Sequence, residues 1–130
     1  MSNLRDTELP ILMRRTVYAG RRLLLIDDEH CNPDGTAMDL TGYAVAGQVR
    51  VALDETSAKL ADIDFSGSDL PNGIIRGVIA AAGASAIVAG AVSRVGGELS
   101  AYFDVKVTDS LGAPEQWYAG TLPVSKVVTP

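Results

Sequence analysis

Residues 99–109 read LSAYFDVKVTD. Leu99, Ala101, Phe103, Val105 and Val107 alternate with Ser100, Tyr102, Asp104, Lys106 and Thr108. In an extended chain successive side chains point to opposite faces, so this alternation puts five apolar residues on one side and polar ones on the other. A helix would scatter the same residues around its circumference. The stretch therefore predicts a half-buried β-strand.

Working outward, the same period recurs. Val45, Gly47, Val49, Val51 and Leu53 point one way, and Ala46, Gln48, Arg50 and Ala52 the other. Ile63 and Phe65 against Asp62 and Asp64 make a shorter copy. Between these runs lie bend-forming sequences: Asn32-Pro33-Asp34-Gly35, Ser66-Gly67-Ser68-Asp69, Leu70-Pro71-Asn72-Gly73, Gly96-Gly97 and Ser110-Leu111-Gly112-Ala113-Pro114. The segments they separate predict strands near 11–18, 21–28, 43–53, 60–65, 74–80, 99–109 and 115–125, the last two forming a hairpin. About seven short strands with frequent turns predict an all-β, antiparallel β-sandwich. The Ala-rich segment 80–97 predicts a short helical or irregular crossover, with Gly83 and Gly90 working against a long helix. Residues 1–10 read as an N-terminal arm and 11–128 as a single sandwich domain.

Composition narrows the function. With 130 residues, 47% apolar and 21% charged, the chain is globular in character. A formal charge of −5 argues against nucleic acid as the main partner, because a phosphate backbone selects clustered Lys and Arg. No run reaches the ~18 apolar residues of a membrane-spanning helix. The stretch MSNLRDTELP carries Asp6 and Glu8 where a secretory signal needs an apolar core, which points to a protein made and folded in the cytosol. Cys31 is the only cysteine, so no intramolecular disulfide forms.

RRLLLIDDEH, residues 21–30, is the stretch that most resembles chemistry. An apolar run ending in Asp27, Asp28 and Glu29 is how a phosphoacceptor domain delivers acids to magnesium. Such a domain then enters an amphipathic helix, whereas here His30-Cys31-Asn32-Pro33-Asp34-Gly35 follows, which is turn chemistry. Contiguous acids on a strand point to opposite faces and do not converge on one ion. His30, the only histidine, would serve alone as acid or base. No G-x-S-x-G elbow, Walker loop or G-x-G-x-x-G is present. The expectation is a protein that is not an enzyme and uses no cofactor and no metal. Tyr102 with Trp117 or Tyr118 across the predicted hairpin would make a small aromatic platform, the basis of an alternative reading as a carbohydrate-binding or adhesion sandwich that meets a host glycan.

Four ordered motifs carry a resemblance. They are Asp39-Leu40-Thr41-Gly42-Tyr43 before a strand ending in Gln48-Val49-Arg50, then Leu70-Pro71-Asn72-Gly73-Ile74, then Gly97-Glu98-Leu99-Ser100-Ala101-Tyr102-Phe103-Asp104-Val105, and finally Trp117-Tyr118-Ala119-Gly120-Thr121-Leu122-Pro123-Val124. Together they resemble the N-terminal-domain family of the baseplate upper protein (BppU) of tailed phages and related prophage proteins, over about residues 11–128. The resemblance implies an immunoglobulin-like sandwich and a virion structural protein of the tail or baseplate, present in multiple copies or as a homo-oligomer and docked on other virion proteins. A head decoration or head–tail joining protein is the alternative within that class. The arm would supply the docking contacts: Leu4, Leu9 and Ile11 as apolar anchors, with Arg5, Asp6 and Glu8 fixing register.

Overall fold

The computed structural model describes residues 16–52, 54 and 56–126. The predicted arm, with Leu4, Arg5, Asp6, Glu8, Leu9 and Ile11, lies outside the described residues, as does most of the predicted first strand.

The described chain is mostly β, as the alternation requires. Its elements are β1 (Val17–Tyr18), β2 (Leu23–Glu29), β3 (Ala44–Arg50), β4 (Lys59–Ile63), a 3-10 turn at Leu70–Asn72, β5 (Ile74–Ile79), α1 (Ala81–Gly90), β6 (Ser93–Val95), β7 (Glu98–Thr108) and β8 (Pro114–Ser125). The larger sheet has the order β1-β8-β7-β3-β4, with β6 also paired to β7; β2 and β5 form a second, two-stranded sheet. All pairs are antiparallel except β1 with β8, where Val17 lies opposite Val124. A reciprocal backbone pair between Asp64 and Val78, at 2.8 and 2.9 Å, carries the end of β4 onto β5. The sheet therefore curls, and β5-β2 folds over the face of β7 and β8.

The inward face of β7 is the one the alternation predicts: Ala101, Phe103, Val105 and Val107 are buried, joined by Val49 and Leu122. Ile26, Ile75 and Ile79 supply the facing layer. Gly47 is a glycine because a Cβ there would sit 2.9 Å from the Val105 side chain and 3.0 Å from the Asp104 carbonyl. The helical expectation for 80–97 is met by α1, which buries Ala84, Ile87 and Val88 and packs against β4, β1 and β8. A Cβ on Gly83 would lie 3.4 Å from the Ala61 and Ile79 side chains, so the space beside this glycine would take a methyl group. The short strand β6 was not anticipated. Three residues bounded by Ala91-Val92 and Gly96-Gly97 are too few to show a period.

Candidate functional site

β2 contains a bulge. Leu24 pairs with Val78 but Ile26 with Gly77, so Leu25 is the extra residue. Beyond it Ile26 and Asp28 turn inward while Asp27 and Glu29 turn outward. β8 carries a matching irregularity: Val105 pairs with Tyr118 and Lys106 with Gln116, which leaves Trp117 as the extra residue. A bulge sets two consecutive side chains on nearly the same side of a strand. Trp117 and Tyr118 are therefore not split between opposite faces, as strict alternation would place them. Both turn toward His30.

The result is a polar cluster between the two sheets. The Tyr118 hydroxyl donates to Asp28 Oδ2 at 2.8 Å. His30 Nε2 lies 2.7 Å from the same hydroxyl oxygen and 3.2 Å from Asp28 Oδ2. A phenol has one proton, and the carboxylate accepts it. The phenol oxygen is then the acceptor and Nε2 the donor, which places a proton on Nε2 in the neutral and the charged imidazole alike. Asp28 is only 8% exposed. A carboxylate this deep is tolerated where donors surround it.

Backbone and aromatic contacts fix His30 in place. Its N–H donates to the Gly73 carbonyl at 2.8 Å, and its carbonyl accepts from the Met38 N–H at 2.9 Å. The imidazole centroid lies 4.9 Å from that of Trp117, which in turn meets Tyr43 edge-on at 6.4 Å. Gly73 has φ of 73°, and a Cβ there would fall 2.4 Å from the His30 carbonyl oxygen and 2.8 Å from that of Met38. No other residue type fits this point. Next to it the Leu40 N–H donates to the Leu70 carbonyl at 2.8 Å. Leu40 is fully buried. Tyr43 N–H closes the turn back to Leu40 at 3.0 Å, with Gly42 supplying φ of 87° at the third position. The Asp39 carboxylate accepts from the Thr41 N–H and hydroxyl, and the hydroxyl bond holds its pKa below the ordinary value.

The acidic run of residues 27–34 thus divides its labour. Asp28 faces the cluster. Asp27 pairs outside with Arg76 Nε at 3.1 Å across the β2–β5 ladder. Asp34 caps its own loop through Thr36, whose hydroxyl lowers the carboxyl pKa. Cys31 is exposed. Among the described residues no three His, Cys, Asp or Glu side chains gather as a metal-holding group. The reading of His30 as a lone acid or base is also corrected: Asp28, two residues earlier, shares its face, and Tyr118 completes the cluster from the other sheet. Only the Asp28–His30 half had a signal in the sequence, the i, i+2 spacing.

The chemistry of this arrangement is that of a clamp. Nε2, the phenol and the carboxylate contact one another across the two sheets. The aromatic platform does not assemble. Tyr118 is buried, Trp117 lies against His30 and Tyr43, and Tyr102 stands opposite Arg50 on the outer face of β3 and β7.

No family model matches the sequence, and no curated protein matches it.

Proposed function

We propose that this chain is a non-enzymatic structural protein of a phage or prophage particle, a component of the tail or baseplate that docks on neighbouring virion subunits. One observation carries the reading. Three of the motifs behind the resemblance, Asp39–Tyr43, Leu70–Ile74 and the Trp117–Val124 strand, are distant in sequence yet meet around His30. Leu40 bonds to Leu70, Gly73 to His30, and Trp117 stacks between His30 and Tyr43. Motifs that recur in order and also touch one another act as a single structural device. They support a shared architecture more strongly than any one of them does.

The order β8-β7-β3-β4 facing β2-β5 supports an immunoglobulin-like reading, in which these strands would take the places of G, F, C and C′ opposite B and E. In this reading the N-terminal arm, with Leu4, Leu9 and Ile11 as apolar contacts and Arg5, Asp6 and Glu8 setting register, lies along an adjacent subunit. The test is deletion of residues 1–10 in the phage or lysogen that encodes the chain. The expected result is an unchanged melting temperature for the isolated protein and reduced incorporation into purified particles. Absence of the full-length protein from particles would refute the reading, and normal incorporation of the truncated one would refute the arm. Immunogold labelling of particles then separates tail from head.

A further inference from the structure

The β7–β8 hairpin has two unlike ends. At its tip Asp109 organises residues 110–113. Its carboxylate accepts from the N–H groups of Leu111 and Ala113, both at 2.9 Å, while its backbone bonds to Gly112 and Ala113. The hydrogen-bonded turn holds Leu111 93% exposed, the most exposed large apolar side chain among the described residues. A leucine on a mobile loop needs no explanation. This one stands on a turn fixed by four hydrogen bonds and braced by Gly42, where a Cβ would sit 3.3 Å from Ser110 Cβ.

At the base of the same hairpin lies a hollow of about 690 Å³. Its walls include Ala91, Val92, Leu99, Pro123 and Val124, and Val92 is 72% exposed. The two features are separated by the length of β7, roughly 30 Å at about 3.3 Å per residue. Their charges are opposite. Asp109 stands in the tip and Glu115 follows it at the start of β8, whereas Arg94 and Lys126 outnumber Glu98 at the hollow.

We propose that the chain self-associates head to tail, the 109–113 tip of one copy seating in the hollow at the hairpin base of the next. Knob and hollow sit at opposite ends of one molecule, so the contact is heterologous and repeats into a ring or a filament. Leu111 is the apolar anchor, and the acidic rim of the tip meets Arg94 and Lys126. The inference goes beyond the particle reading and stands without it, since the isolated chain shows the association.

Sedimentation velocity on the full chain over a wide concentration range tests it. The wild type should form species larger than a dimer at high concentration and dissociate as salt rises. Leu111→Gln and Val92→Asp should each weaken association at least about tenfold. Leu111 makes no side-chain bond in the turn, so its variant keeps the fold. If Val92→Asp disturbs the circular dichroism spectrum, Arg94→Glu replaces it on the same rim. An equimolar mixture of the Leu111 variant with the hollow variant leaves one intact knob and one intact hollow, and should give a two-body complex that grows no further. A wild type that stays monomeric overturns the proposal. So does a Leu111 variant that assembles normally, or a mixture that fails to pair.

Discussion

The larger sheet is covered in two different ways at two places, by the two-stranded sheet and by α1. Around His30 the junction is polar, a carboxylate, a phenol and an imidazole bonded in a ring of short contacts. At α1 it is apolar, with Ala84, Ile87 and Val88 pressed onto the sheet and no side-chain cap at either helix end. A polar junction demands geometry: each group must meet its partner within a few tenths of an ångström, or desolvation goes uncompensated. An apolar junction demands only volume, and the small residues of α1 supply that by close approach. The first therefore specifies one arrangement of the sheets, and the second adds stability with tolerance.

The comparison breaks most sharply at Gly73. Gly73→Ala combines left-handed strain with a Cβ 2.4 Å from the His30 carbonyl. We expect a loss of roughly 3–5 kcal/mol or failure to fold, read by urea denaturation. At the apolar junction Ile87→Ala, at a fully buried site, should cost roughly 2–4 kcal/mol and leave a folded protein with an unchanged m-value. Gly83→Ala sharpens the contrast with the opposite sign. The added methyl meets Ala61 and Ile79 at ordinary contact, and removing a helical glycine should raise stability by up to about 1 kcal/mol. A glycine-to-alanine change thus destabilises strongly at one junction and stabilises at the other.

The smallest effect concerns acid. Asp34, Asp39, Asp54 and Asp64 each accept hydrogen bonds from a Thr or Ser two residues on, and these bonds lower their pKa values below 3.8. A folded-state value below the unfolded one gives stability that is present above the unfolded pKa and lost as pH falls through the folded one. The contribution of these turns to thermal stability should therefore be complete from neutral pH down to about 4 and fade only below that. Asp39→Asn should flatten that acid limb slightly.

These differences explain what the sequence made legible. Period-two alternation located β3, β4 and β7 because each has one wetter and one drier face, and alanine content located α1. The clamp was hidden for a physical reason. Asp28 and Tyr118 lie 90 positions apart, and a bulge at Trp117 breaks the alternation from which a reader would infer its direction. Nothing in Gln116-Trp117-Tyr118 announces that bulge. Leu25 and Ile26 are both buried for the same reason, and two consecutive apolar residues were a faint sign that the strand departs from strict alternation there.

The Asp28–Tyr118 bond ties the two sheets together as a cooperative unit. A double-mutant cycle tests it: urea unfolding of the wild type, Asp28→Ala, Tyr118→Phe and the double variant. The account predicts that each single change costs roughly 1–3 kcal/mol and that the double costs clearly less than their sum, a coupling of at least about 1 kcal/mol. Costs that add to within about 0.3–0.5 kcal/mol would contradict it.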